Sequence, residues 1–383
     1  MLLSNNRHIA HFDLDAFFVS VETLRNPAFA GKPLLVGGGS DRGVVAACSY
    51  EARKYGIHSA MPMTLARRLC PEAIVIRSDF EAYSKYSRLV TDVIKEAAPV
   101  FEKASIDEFY IDLTGMDKFF GCLQFTGELK KRVHKESGLP ISWALASNKL
   151  ISKVATNEVK PNGQLEIPFG NEKGFLAPLS IIKIPGIGKE TGYKLLKMGV
   201  ETVKTLSEIP VDMMENLLGK PGIELWRKAN GIDESPVVPY QEQKSISTET
   251  TFQTDTIDVH FLHSHLARMT EQIAFQLRQQ TRLTGCVTVK IRYSNFETFT
   301  RQLTIPYTNA DHVLLQTARE LFNKLYERRL LIRLLGIRFT HLIPGNYQIN
   351  LFDDTQQMIS LYQAIDSVKK RFGEQKIIRA AAV

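Results

Sequence analysis

Three carboxylates stand where apolar strands would not ordinarily tolerate them. Asp13 lies within His11-Phe12-Asp13-Leu14-Asp15, and Asp107-Glu108 is an adjacent pair within Ser105-Ile106-Asp107-Glu108-Phe109-Tyr110. A charge on an otherwise buried strand costs several kcal/mol unless it is paired or holds a metal. Metal binding is one compensation. Two Mg²⁺ ions about 3.5–4 Å apart need about three carboxylates, and together they stabilise the attacking and leaving oxygens of an in-line displacement. The other reading is that these acids face solvent on edge strands. Strict alternation sends Asp107 and Glu108 to opposite faces, so both reach one site only at a strand end or a bulge. Spacing alone leaves the two readings open.

The elements that would carry these residues can be read from periodicity. From His8 to Leu14, Ala10, Phe12 and Leu14 share one face of a strand, with His11, Asp13 and Asp15 on the other. Pro33–Val36 and Gly43–Ala47 read as short buried strands. Helical spacing runs from Tyr50 to Leu69 and from Glu81 to Ala97, stopped by Pro71 and Pro99. Val100–Leu113 reads as two strands around a tight turn. After breaks at Lys160-Pro161-Asn162-Gly163 and Pro168, Leu179 to Asn230 is helical in pattern. Ser235 to Thr251, with two prolines and no apolar periodicity, reads as an interdomain linker. Beyond it, helices at 259–282 and 311–329 accompany strands at 286–293, 299–305 and 332–342, and a basic helical segment closes the chain. The expected class is therefore α+β with several domains.

Composition narrows the class further. Of 383 residues, 48 are Lys or Arg and 41 Asp or Glu, a net charge of +7 that suits a polyanionic partner. The segment 241–345 alone carries a net +4. Cys48, Cys70, Cys122 and Cys286 form no CxxC pair, which argues against a zinc site or a disulfide framework and for a reducing, cytoplasmic setting. The N-terminus has no signal-peptide pattern and no apolar run would span a bilayer. Gly37-Gly38-Gly39 lacks the following Gly-Lys-Ser/Thr of a phosphate loop and reads as a turn. His260, His263 and His265 have no Cys or acid at ligand spacing to make a metal site.

Several stretches occur together in order: HFDLDAFFVSVE from His11, SYEARKYGIHSAMPMTLARRLCP from Ser49, SIDEFYIDLTG from Ser105, KPNG from Lys160 and IPGIGKETGYKLLKMGV from Ile184. This combination closely resembles the Y-family DNA polymerases. Ser59-Ala60-Met61-Pro62 favours their DinB branch over the UmuC branch. The resemblance implies a palm (1–18 and 79–168), fingers (19–78), a thumb with a helix-hairpin-helix (169–234), a linker (235–251), a little finger (252–345) and a C-terminal tail (346–383). It implies that Asp13 and Asp107 bridge two Mg²⁺ ions, that Glu108 binds the catalytic one, and that the Leu14 carbonyl binds the nucleotide-bound one. Asp15 would then be a supporting residue rather than a ligand.

The same resemblance places Phe17 and Phe18 at the incoming nucleotide, Phe18 as a steric gate whose ring excludes a 2′-hydroxyl, and Tyr50, Arg53 and Lys160 on its triphosphate. Arg53 offers a planar fork for phosphate oxygens and Lys160 a point charge. Ala46, Ala47 and Ala60 would enclose the nascent base pair loosely, which implies low fidelity and tolerance of damaged templates. Gly186, Gly188 and Lys189 would hold DNA through backbone N–H groups at a helix start. In the C-terminal domain Arg278, Arg282, Lys290, Arg292, Arg301, Arg333 and Arg338 are available to a duplex backbone. Gln348, Leu351 and Phe352 look like the peptide by which bacterial polymerases dock on the beta sliding clamp. The implied activity is monomeric, template-directed primer extension with deoxynucleoside triphosphates and no proofreading exonuclease. A catalytically idle DNA- or clamp-binding scaffold and a nucleotidyl cyclase are the rival readings.

Overall fold

The computed structural model describes residues 7–116, 121–239, 242–345 and 355–373, together with Ile377. The chain divides into two compact units, Met1–Gln241 and Glu242–Val383.

The first unit runs β1 (Ile9–Leu14), α1 (Phe17–Arg25), β2 (Leu34–Gly37), β3 (Val45–Cys48), α2 (Tyr50–Arg53), α3 (Met63–Leu69), β4 (Ile74–Ile76) and α4 (Phe80–Ala97). It continues with β5 (Phe101–Lys103), β6 (Glu108–Asp112), α5 (Cys122–Ser137), β7 (Ile141–Ala146), α6 (Lys149–Glu158) and β8 (Gln164–Glu166). A five-stranded sheet in the order β5-β6-β1-β7-β8 places β1 at its centre, antiparallel to β6 and β7. All six residues of β1 are buried because the sheet is covered on both faces. Ala10, Phe12 and Leu14 pack with Val90, Val93 and Ile94 of α4 and with Leu129 and Val133 of α5. On the opposite face α6 crosses the sheet, burying Leu150, Ile151 and Val154 against Ala144 and Ala146 of β7. The alternation read along β1 is thus the division between a dry face and a face that carries polar groups.

A second sheet, β3-β2-β4, closes a smaller core around Leu35, Val45, Ala52, Met61, Met63 and Ala66. Here the single helix expected over 50–69 is two helices, α2 and α3. Gly56 at φ 79° and Ala60 at φ 68° take left-handed backbone between them, and Pro62 caps α3. Helical spacing was present, but the chain must turn there to cover the sheet.

Five short helices follow, α7 (Glu172–Leu176), α8 (Lys189–Lys197), α9 (Val203–Glu208), α10 (Val211–Leu218) and α11 (Lys220–Ala229). Their core holds Ile184, Ile187, Leu195, Val203, Leu206 and Leu225. Gly186 has φ 104°, closed to most side chains, and the Lys228 ammonium donates to the Pro185 carbonyl at 2.8 Å, so the turn before α8 is held from α11. The following segment lies against the main sheet. Val237 is buried with Ile9 and Tyr110, and the Val238 N–H donates to the buried Glu102 at 2.8 Å.

The second unit is β9 (Ser245–Thr256), α12 (Val259–Gln279), β10 (Arg282–Tyr293), β11 (Thr298–Thr308), α13 (Asp311–Leu325), β12 (Ile332–Pro344) and α14 (Thr355–Phe372). The sheet order is β11-β10-β12-β9, antiparallel throughout, with α12 and α13 on its apolar face. The linker expected to reach Thr251 is therefore shorter, because β9 begins at Ser245. This strand sits at an edge, and only Ile246 and Phe252 along it are buried, so no apolar alternation announced it. The expected tail also contains α14, whose Tyr362 is 1% exposed.

Candidate active site

The polar face of β1 ends in the acidic cluster. Asp13 stands opposite Glu108 in the β1–β6 ladder, and the Leu14 N–H donates to the Asp107 carbonyl at 3.1 Å. Asp107 lies one residue before β6, at the strand end that its convergence with Glu108 requires. Ser105 builds that turn. Its hydroxyl accepts from the backbone N–H of Glu108 at 3.0 Å and donates to the Asp107 carboxylate at 2.5 Å. Leu14 is the last residue of β1, so its carbonyl lies at the end of the same strand.

Two ammonium groups meet the carboxylates. Lys160 lies 2.5 Å from Asp13 Oδ1, and Lys153 of α6 donates to both Glu108 oxygens at 2.6 and 2.8 Å. Asp13 is only 5% exposed. Burial pushes its carboxyl up to about 7; Lys160 pulls it down, while Glu108 and Asp107 add to the rise. His11, fully buried two residues earlier on the same face, packs against Tyr110 with tilted rings 4.7 Å apart, and neither ring nitrogen has a hydrogen-bond partner. Burial, followed by the charges of Lys153, Lys160 and Lys149, holds His11 well below its ordinary pKa, so it stays neutral. Donor atoms of His11, Asp13 and Glu108 lie within 4.8 Å of one another. Hard carboxylate oxygens together with an unpartnered buried nitrogen are a donor set that fits a divalent cation.

Asp15 does different work. It is 1% exposed, and its oxygens accept from the Ser142 hydroxyl (2.9 Å to each), the Asn162 N–H (2.8 Å) and the Tyr50 hydroxyl (3.4 Å). One carboxylate therefore ties β1 to β7, to the Lys160–Gly163 loop and to α2. Arg53 covers the Tyr50 ring at 4.6 Å, and burial followed by the Asp15 charge raises the Tyr50 pKa. The structure thus brings Asp13, Asp107, Glu108, Lys160, Tyr50 and Arg53 into one connected site.

The two aromatics after Asp15 divide. Phe17 is 3% exposed and belongs to the core, so its side chain is not free to face a nucleotide. Phe18 is half-buried, stacks on Tyr83 at 4.2 Å and meets Phe80 edge-on at 5.7 Å. Ala46 and Ala47 are half-buried on β3, and Ala60 is exposed.

Gly186, Gly188 and Lys189 lie at the start of α8 and take no part in the acidic cluster. Gln348, Leu351 and Phe352 lie outside the described residues. Of the C-terminal cations, Lys290, Arg292 and Arg338 stand on the sheet face opposite the helices. Arg278 does not serve a duplex. It is buried between Asp311 (2.5 Å) and Asp366 of α14 (2.7 Å). Arg301 also turns the other way, donating to the Lys324 carbonyl of α13. Of the three histidines on α12, His265 stacks on Phe261 and meets Phe252 edge-on, and no ligand set forms around them among the described residues.

Sequence reading did not find Ser105, Ser142, Lys153 or His11 as part of the site. Lys149 and Lys153, spaced i,i+4 beside the apolar Leu150, Ile151, Val154 and Ala155, were the available signal for one of them.

A central antiparallel strand that ends in carboxylates flanked by cations is a frame that suits nucleotidyl transfer. The sequence profile of the impB/mucB/samB family matches residues 12–157, that of the family's C-terminal domain matches 243–351, and that of the DNA polymerase-iota thumb domain matches 182–233. A DNA polymerase IV of Dehalococcoides mccartyi is 38% identical over 371 residues, 96% of this chain and 95% of that protein. Among solved structures, a Y-family DNA polymerase chimera of Dbh and Dpo4 superposes with a TM-score of 0.78 at 26% identity, covering 88% of this chain and all of the other. The insertion ternary complex of Dbh DNA polymerase gives 0.64 at 25% identity, with the same coverage. The chain belongs to the impB/mucB/samB family of Y-family polymerases, and it is a DNA-directed DNA polymerase with the palm, fingers, thumb and little finger of that family.

Proposed function

We propose that this polymerase performs low-fidelity translesion synthesis, extending a primer 3′ end with deoxynucleoside triphosphates through two divalent ions and without proofreading. The observation that carries the reading is the pairing of Asp13 with Glu108 at the end of β1, their donor atoms within 4.8 Å, with the Asp107 backbone hydrogen-bonded to Leu14 and Lys160 beside Asp13. These three carboxylates would hold two Mg²⁺ ions, with the Leu14 carbonyl adding a ligand to one. When bound, such ions neutralise charge on the attacking and leaving oxygens of an in-line displacement.

The protein groups have separable tasks. Lys160 and Arg53 supply positive charge for the triphosphate, and Tyr50, held by Asp15, supplies a hydroxyl beside it. Phe18, braced by Tyr83 and Phe80, presents a ring beneath the sugar and excludes the 2′-hydroxyl. Phe17 contributes by packing α1 rather than by its face. The small side chains of Ala46, Ala47 and Ala60 leave the base pair loosely enclosed. The backbone around Gly186, Gly188 and Lys189 would grip duplex phosphates, as would Lys290, Arg292 and Arg338. From its sequence, Gln348–Phe352 would bind a bacterial sliding clamp, with the polymerase acting as a cytoplasmic monomer; no described helix is long and apolar enough to cross a membrane.

Primer extension with Mg²⁺ and deoxynucleotides tests the reading. Wild type yields short, distributive products and Asp107→Ala yields none. Absence of extension by wild type on a clamp-loaded template would instead favour an idle scaffold.

A further inference from the structure

Lys153 has no role in the proposed chemistry, yet it makes one of the closest charge contacts of the site. Its ammonium lies 2.6 and 2.8 Å from the two oxygens of Glu108, so both ends of that carboxylate are engaged by one cation. The helix that carries it is fixed. One turn earlier, Lys149 is bound to both Glu102 oxygens at 2.7 and 2.9 Å, and one turn later the Thr156 hydroxyl donates to the His11 carbonyl at 3.2 Å. Lys153 itself is 28% exposed, so its four-carbon stem can swing toward solvent without moving α6. An ammonium on both oxygens and a divalent cation on the same oxygens compete for the same lone pairs, and they repel each other across a partly buried site.

We propose that Lys153 is an internal counter-ion that competes with divalent cations for Glu108 and must leave that carboxylate when a metal binds there. It is a positioning residue that keeps Glu108 pointed into the cluster, and it keeps the resting site weak for stray divalent ions. Lys160 differs in that it reaches Asp13 from the Lys160–Gly163 loop rather than from a helix. The inference rests on the reading of Asp13, Asp107 and Glu108 as metal ligands.

The test is Mn²⁺ binding to the full chain without DNA or nucleotide, followed by electron paramagnetic resonance of the free ion. Lys153→Met, which keeps the stem and removes the charge, should bind Mn²⁺ about 10-fold more tightly than wild type, the scale expected for a partly exposed pair. Lys153→Gln should do the same and serves if the methionine variant folds poorly, as judged by far-UV circular dichroism. Lys153→Arg, with its charge retained, should stay close to wild type. Glu108→Gln should weaken binding and abolish the gain when combined with Lys153→Met. Affinity unchanged or lowered in both neutral variants, with Glu108→Gln still weakening binding, overturns the competition and leaves the metal site standing. Equal binding by wild type and Glu108→Gln overturns both.

Discussion

Asp15→Ala should damage stability and nucleotide binding together, although this carboxylate is not one of the proposed metal ligands. Two good donors, the Ser142 hydroxyl at 2.9 Å and the Asn162 N–H at 2.8 Å, would lose their acceptor inside a site where Asp15 is 1% exposed. Each buried donor left unpaired costs about 1–3 kcal/mol. The Tyr50 contact at 3.4 Å is long and adds little. Removing a buried charge returns part of this loss, because the carboxylate no longer has to be desolvated. A net destabilisation of about 3 kcal/mol follows, which for a unit of this size is a fall in Tm of roughly 6–12 °C. The Lys160–Gly163 loop would lose its anchor to β1, so KM for the incoming nucleotide should rise more than kcat falls. Thermal melting and steady-state single-nucleotide insertion measure the two effects. A Tm within about 1 °C of wild type with an unchanged nucleotide KM would refute the idea that Asp15 holds this loop and α2.

Three further outcomes follow from the same geometry. Burial raises Asp13 to about 7, so the folded, metal-free protein binds more protons than the unfolded chain above the carboxyl's ordinary range. That contribution to stability is present at low pH and lost as pH rises through about 7; calorimetry should show Asp13→Asn stabilising the metal-free protein more at pH values above this than below it. Asp366→Ala removes one partner of buried Arg278 while Asp311 remains, and should destabilise the second unit by about 2–3 kcal/mol, read as a lower urea midpoint. Phe18→Ala should raise ribonucleotide insertion by at least about 10-fold in the extension assay, the scale of relieving a clash in a shaped pocket.

Much of this molecule is local enough to read along the chain. Alternation along β1 separated Ala10, Phe12 and Leu14 from His11 and Asp13, and the helices and strands read from 259 to 342 survived with adjusted ends, while β9 begins inside the stretch that reads as linker. The motifs led to the family because several of them coincide in order, which no single carboxylate could have done. What failed locally failed for identifiable reasons. β9 is an edge strand with a polar outer row, and the 50–69 segment keeps helical spacing across a turn that Gly56 and Ala60 impose.

The sequence by itself determined which residue types can do the chemistry: acids on apolar strands, a Lys-Pro-Asn-Gly loop, and an aromatic pair after Asp15. The tertiary structure decided which of them act together. Asp107 stands beside the end of β1 because Ser105 turns the chain at the start of β6, and Glu108 meets Lys153 across 45 residues. Asp15 finds Ser142 across 127 residues, and Arg278, on sequence grounds one of seven cations available to a duplex, is buried by Asp366 from 88 residues away. Periodicity reports only on neighbours one or two turns or pleats apart. Charge pairing and burial depend on groups brought together by packing, and the desolvation that fixes each group's role exists only once that packing is complete.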